Sequence, residues 1–279
     1  MPSNYAHYRF GTQLLPLLPA DVRRPIQRFR RLYDMGLHGP DLFFYHNFLA
    51  KDTVAALGQK YHHKTGRDYF SWACQYLKEE PTEAGIAYLY GVLAHFCLDS
   101  VFHPFVLKHI EDGSMTHTEL ETEFDRFLLI QDGHEKPHTY DCSRHMTLTR
   151  GECVTVAAFY PPVTPDNVLH ALGAMSRSVK LMAAPEGPRR RFVKKALSIT
   201  KPAIRDLMIP TRPNRTIAGL DSEMMALYNE AAALYPQMVE QIMAHMSYNA
   251  FLGSCFDRTF DGTGKPVPHE WGTMEVKLT

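Results

Sequence analysis

The 279-residue sequence lacks the features that mark several simple classes of protein. Its 30 basic and 30 acidic side chains cancel, so no net charge indicates a nucleic-acid binder or a membrane-surface protein. Its five cysteines contain no C-x-x-C pair, which argues against a disulfide scaffold and against thiolate metal ligands. The N-terminal residues have no basic start followed by an apolar stretch. We therefore expect no signal peptide and a cytoplasmic protein.

Helical patterns dominate what is present, and histidine is abundant, with 15 residues. We predict an all-α fold, a multi-helix bundle in a single domain over residues 1–279, with one long amphipathic helix over 52–80. Residues 132–165 are predicted to be a loop excursion, in which Val154-Thr155-Val156 favours a short hairpin. Residues 185–191 read as a basic loop, and 257–279 as an irregular tail.

The helix predicted from Thr82 to Lys108 carries almost no charge. Between positions 85 and 106 its only ionisable side chains are His95, Asp99 and His103, spaced four residues apart on one face. Such a helix is predicted to be buried at the centre of the bundle, and its three ionisable groups argue against a transmembrane segment. A buried carboxylate needs a partner. The two alternatives are a hydrogen-bonded His–Asp pair in the core and a metal shared with the histidines.

The next predicted helix, over residues 114–129, repeats the pattern with His117 and Glu121. Both lie on the same stripe as the large apolar side chains of this helix, so Glu121 is predicted to point inward. The opposite face carries charges that we expect to be solvated: Glu119, Glu123 and Arg126.

Two weaker signals precede these helices. Asp41 follows Gly39-Pro40 and is flanked by His38 and His46, and His7 lies in the first helix. Alone, Asp41 would be a helix N-terminal acid and His7 a histidine at the edge of the core. Together with the later motifs, they form a set of imidazoles and carboxylates that suits zinc or a similar ion in a multi-metal site for phosphoryl chemistry.

In this order the motifs resemble the zinc-dependent phospholipase C family, whose relatives include fungal single-strand nucleases of the same fold. The resemblance covers about the first 130 residues. It implies one zinc on Asp41, His46, His95 and Asp99, with His38 as a rival for the place of His46. It implies a second zinc on His103, His117 and Glu121, and a third on His7, Asp99 and the N-terminal amine. The motifs are Tyr5-Ala6-His7, Gly39-Pro40-Asp41, His95-Phe96-Cys97-Leu98-Asp99, His103-Pro104 and His117-Thr118-Glu119-Leu120-Glu121.

The resemblance implies a hydrolase of phosphate esters with two or three zinc ions, with phospholipid as a candidate substrate and Asp41 as the base that orients the attacking water. One alternative is a single-strand nuclease, but no interleaving of aromatic and basic residues marks a groove, so nucleic acid is the less expected partner. Another alternative is a metal-stabilised scaffold without turnover. The basic run Arg189–Arg191, with Lys194 and Lys195, either guides an anionic substrate or is simply a solvated face.

Overall fold

The structure is a computed structural model that describes residues 4–47, 52–111, 113–200 and 207–262. In these ranges the chain forms twelve α-helices, joined by turns and five short 3₁₀ segments, and no β-strand, which confirms the all-α prediction. The helices are α1 (Asn4–Leu14), α2 (Ala20–Arg28), α3 (Arg30–Gly36), α4 (Thr53–His62), α5 (Gly66–Glu79), α6 (Glu83–Ile110), α7 (His117–Gln131), α8 (Arg150–Ala158), α9 (Pro165–Met182), α10 (Pro188–Thr200), α11 (Arg215–Ala218) and α12 (Asp221–Tyr248).

Helix α6 forms the centre of the fold, as predicted. It begins after Thr82, whose side chain accepts a hydrogen bond from the Gly85 amide, and its most extensive contacts are with α3 and α12. By length and composition it is the one helix of the described ranges that could cross a membrane. However, 94% of its most apolar 18-residue stretch is buried inside the protein, which is what the core helix of a bundle shows.

Helices α3 and α6 meet through two glycines. A Cβ atom added to Gly91 would lie 2.3 Å from the Tyr33 carbonyl oxygen, and one added to Gly36 would lie 2.5 Å from the Tyr88 carbonyl oxygen. Both distances are too short for any side chain, so only glycine allows the two backbones to approach this closely. The contact holds the end of α3, and therefore the segment that follows it, against the middle of α6.

Replacing Gly91 by Ala should lower the free energy of unfolding by about 2 kcal/mol, because the added methyl group forces two packed backbones apart. Urea denaturation followed by circular dichroism would measure this loss. Gly151→Ala is the matched control, since the nearest atom to its added Cβ is 3.9 Å away on a flexible side chain. Equal stabilities for the two variants would contradict the close helix contact.

The helix predicted over 52–80 is in fact two helices. Helix α4 ends at His62, and α5 begins at Gly66 after a turn in which the Thr65 hydroxyl accepts from the Asp68 amide. The periodic spacing of apolar residues continues across the turn, so the sequence pattern predicted one helix instead of two. His62 is the last residue of α4, and its Nε2 lies 2.8 Å from Asp41 Oδ1.

The loop excursion over 132–165 also differs from its prediction. Residues 150–158 form α8 instead of a hairpin, because Thr149 and Glu152 make a reciprocal capping box that outweighs the β-preference of the valines and threonine. The basic loop is likewise shorter than predicted, since α10 begins at Pro188, a residue favoured in the first turn of a helix. Of the predicted irregular tail, residues 263–279 lie outside the described residues.

The outer face of α7 is less solvated than the sequence predicted. Glu119 is half-buried, Glu123 is fully buried and Arg126 is only 7% exposed. Arg126 Nε donates to Glu123 Oε1 at 2.6 Å, and the Asn214 amide donates to Glu123 Oε2 at 3.3 Å. The segment that leads into α11 therefore covers this face, which the helical periodicity of α7 could not reveal.

Candidate metal centre

Helix α6 places His95, Asp99 and His103 on one buried face, with at most 4% of each residue exposed. Three imidazoles converge on the Asp99 carboxylate. His7 Nε2 lies 3.0 Å from Oδ1, His95 Nε2 lies 3.3 Å from Oδ2, and His103 Nε2 lies 3.9 Å from Oδ1. Asp99 is therefore the point at which the separate motifs of the sequence meet.

The first group that could hold a metal consists of Asp41, His62, His95 and Asp99, whose ligand atoms all lie within 4.8 Å of one another. His62 Nε2 is 2.8 Å from Asp41 Oδ1, and His95 Nε2 is 3.7 Å from Asp41 Oδ2. The tight turn at Gly39 makes this approach possible. Its φ is +48°, and an added Cβ would lie 2.6 Å from His95 Cδ2.

The second group consists of His103, His117 and Glu121. Glu121 Oε1 lies 2.8 Å from His117 Nε2 and 3.4 Å from His103 Nε2. A capping box between Thr116 and Glu119 fixes the start of α7, so His117 and Glu121 share a turn that faces α6. The His117 side chain is 29% exposed, whereas those of His103 and Glu121 are buried. Solvent therefore reaches the centre from the His117 side.

Backbone carbonyls orient three of the imidazoles. Nδ1 of His62 lies 2.7 Å from the Gly58 oxygen, Nδ1 of His95 lies 3.2 Å from the Leu37 oxygen, and Nδ1 of His103 lies 3.0 Å from the Phe260 oxygen. Because a carbonyl oxygen only accepts, each Nδ1 must carry the proton. In the neutral ring this leaves Nε2 with a free lone pair directed at the carboxylates, the arrangement found in histidine metal ligands.

The chemistry of this donor set fits zinc. Three buried atoms of the centre have no hydrogen-bond partner: Asp41 Oδ2, His95 Nε2 and Glu121 Oε2. Among the described residues, no lysine or arginine forms an ion pair with Asp41, Asp99 or Glu121. Buried carboxylates without a cationic partner are costly, and a divalent cation shared with imidazoles removes that cost.

The local charges favour the ionised carboxylates that a metal requires. Burial opposes ionisation, but His103, His95 and His7 hold the pKa of Asp99 well below its ordinary value. In the same way His117 and His103 lower the pKa of Glu121 against the effect of burial. Burial lowers the pKa of His95 to about 4, whereas Asp99 and Glu121 overcome burial and raise the pKa of His103 to about 9. His103 must therefore lose a proton to bind a metal.

A short C-terminal segment, residues 258–262, is part of the same centre. Pro104 has no amide hydrogen, so the Ser100 carbonyl loses its helical partner, and Arg258 donates to that oxygen at 2.6 Å. Two residues later, the Phe260 oxygen accepts from His103, and the Asp261 amide donates to the His62 carbonyl at 3.2 Å. The segment thus braces one histidine of each group.

The structure does not bring every predicted histidine into the two groups. His46 Nδ1 pairs with Asp52, and His46 Nε2 lies 3.3 Å from the Asn167 amide nitrogen, so both ring nitrogens are engaged elsewhere. Its rival His38 makes a 2.8 Å contact with His145 instead. His62, and not His46, lies beside Asp41 in the first group. The sequence did not predict His62 as a ligand. This histidine follows Gly58 by four residues on the buried stripe of α4, the same signal that identified Glu121.

His7 reaches Asp99 because α7 holds the start of α1. The Asp125 carboxylate accepts hydrogen bonds from the amides of Tyr5 at 3.1 Å and Ala6 at 2.7 Å, which satisfies the free donors at the helix start. The other ring nitrogen of His7, Nδ1, is buried without a partner. The predicted N-terminal amine ligand lies outside the described residues, so the third zinc stays a prediction.

More than half of the chain matches a family of known proteins. The family model described as zinc-dependent phospholipase C matches residues 6–157. The chain belongs to that family. The family match contains both groups and His7, whereas the bracing segment 258–262 lies outside it. No match was found among curated proteins, and none among solved structures.

Proposed function

We propose that the protein hydrolyses phosphodiesters, with a phospholipid as its substrate class, at a zinc centre built on both groups. The observation that carries the proposal is the position of Asp99, which belongs to the first group and lies 3.9 Å from His103 of the second. A carboxylate in this position can be shared by ions on either side. Zinc held there would act as a Lewis acid on the phosphoryl oxygens and bring the pKa of a water molecule down to about 7.

We propose a different role in this centre for each of several residues. His62, His95 and His103 present their Nε2 atoms in fixed directions, because carbonyl oxygens hold their Nδ1 protons. His117 lies at the exposed edge, so a phosphate group enters beside it. Asp41 is only 1% exposed and directs one oxygen at His62 and the other at His95. We therefore propose Asp41 as a ligand, and its role as the catalytic base stays a prediction.

The purified protein should contain at least two zinc ions per chain and cleave a chromogenic phosphodiester such as 4-nitrophenyl phosphorylcholine. Chelation should abolish turnover, and added zinc should restore it, because the orienting hydrogen bonds come from the protein. His117→Ala should lower turnover by about 100-fold or more. The matched control is His109→Ala, since His109 donates only to the Phe105 carbonyl on its own helix.

Three outcomes would separate the alternatives. Turnover that is insensitive to chelator, in a protein without zinc, would contradict the proposal. Bound zinc with a large loss of melting temperature on chelation, but no turnover of any phosphate ester, would indicate a metal-stabilised scaffold. Faster cleavage of single-stranded nucleic acid than of phospholipid micelles would assign the same centre to a nuclease.

A further inference from the structure

A pocket lies beside α7, away from the metal centre. It has a volume of about 310 Å³ and opens between α7, α10 and the segment that leads into α11. The α7 residues that line it are Glu119 and Thr122. Glu119 is about 160° around the helix from Glu121, so the pocket and the second metal group lie on different sides of α7.

Three cations line this pocket: Arg190 and Lys194 from α10, and Arg212. Among the described residues none of the three forms an ion pair. The one carboxylate of the lining, Glu119, accepts from the Thr116 amide at 2.9 Å and from the Thr116 hydroxyl at 3.1 Å. These neutral donors fix the Glu119 carboxylate at the start of α7 without cancelling its charge, and three cations against this one carboxylate leave the pocket with an excess of positive charge.

Arg190 is held in place by neutral partners. Its guanidinium donates to the Ala184 carbonyl at 3.2 Å and to the Ile209 carbonyl at 2.6 Å. Two carbonyl oxygens fix the plane of the group but do not neutralise it. Burial lowers the pKa of Arg190, and Glu186 only partly opposes this shift. An anionic ligand would therefore stabilise the charged guanidinium. The hydroxyl of Thr211 and the side-chain amide of Asn214 add neutral hydrogen-bonding groups to the lining.

We propose that this pocket binds a phosphate group. Arginine and lysine on converging sides, with neutral donors between them, are the groups that recognise phosphate oxygens. The pocket is larger than one phosphate, which leaves room for a phosphorylated head group. The phosphate is carried either by an anionic phospholipid or by a soluble phosphate compound. This site does not depend on the proposed hydrolysis, because its residues and the two metal groups share no side chain.

The test compares two double variants of the zinc-loaded protein. Lys194→Ala with Arg212→Ala removes two cations of the pocket. Arg189→Ala with Arg191→Ala removes two exposed cations of the same helix region that do not line it. In calorimetric titration with inorganic phosphate, we expect the first variant to bind about tenfold more weakly than the unmodified protein, and the second to stay within about twofold. Phosphate held at the metal centre is common to all three proteins and cancels in the comparison.

Sedimentation with vesicles identifies the source of the phosphate. Phosphatidylcholine vesicles with and without phosphatidic acid are compared for all three proteins. Retention that needs phosphatidic acid and is lost only with Lys194→Ala and Arg212→Ala assigns the site to lipid head groups. Phosphate binding without retention assigns it to soluble phosphates. Equal losses in both double variants, or no binding of either probe, would overturn the proposal. Zinc content, measured on the same samples, shows separately whether the metal centre is intact.

Discussion

Asp99→Asn should remove at least one zinc ion per chain and reduce phosphodiester turnover by about a thousandfold or more. Three imidazoles approach this carboxylate, and His103 of the second group approaches the same oxygen as His7. Asparagine keeps the size of the side chain but loses the negative charge and one acceptor oxygen, so it can no longer be shared between ions. A loss of this size is expected because the electrostatic stabilisation of the transition state depends on the bound ions.

Zinc content by mass spectrometry and turnover of the chromogenic substrate measure the effect. Asp34→Asn is the control, because Asp34 is also buried and charged but pairs with Arg30 at 2.6 Å on α3. This control should lose stability, whereas its zinc content should stay unchanged. If Asp99→Asn kept its full zinc content and activity, Asp99 would not be a ligand and the shared centre would be wrong.

The second large effect is a difference in zinc binding and turnover between variants of His62 and His46. His62→Ala should weaken zinc binding at the first group by at least about 100-fold and reduce turnover accordingly, because it removes a ligand already directed at Asp41. His46→Ala should leave zinc content unchanged and turnover within about twofold, since both nitrogens of His46 are engaged with Asp52 and Asn167.

Titration of each apoprotein with zinc, in competition with a chelator of known affinity, measures both variants on one scale. Circular dichroism checks that both remain folded. The reverse result, with zinc lost in His46→Ala and kept in His62→Ala, would restore the assignment that the resemblance implied and reject the geometry of the first group.

The sequence predicted the centre best where helical periodicity and burial agree. Between residues 85 and 106 of one helix, His95, Asp99 and His103 are the histidines and charged side chains, so their common face followed from their spacing alone. Glu121 was placed correctly because its neighbours define a stripe. His62 was missed although it lies on such a stripe, because it belongs to none of the motifs that carried the resemblance.

Other features could not be predicted because they depend on contacts distant in the sequence. Glu123 and Arg126 have the spacing of a solvated face, but both are buried, and the Asn214 amide, about 90 residues later, donates to Glu123. The contact of His103 with the Phe260 carbonyl could not be predicted from a ligand motif either, because every residue has a backbone oxygen whatever its side chain. The shared helix face of His95, Asp99 and His103 and the inward position of Glu121 were therefore predictable, whereas His62 and the groups that orient the imidazoles were not.

The hydrogen bond between His103 and Phe260 joins residues 157 positions apart, and this separation affects the biosynthesis of the protein. His95, His103, His117 and Glu121 all leave the ribosome long before residue 260 has been added. During that interval the nascent chain carries these candidate ligands, but the ring of His103 lacks the Phe260 oxygen as acceptor for its Nδ1 proton. With zinc bound as proposed, loading with native geometry would follow synthesis of residues 258–262, and a chain cut before residue 258 would keep both groups of candidate ligands yet release its metal faster than the intact protein.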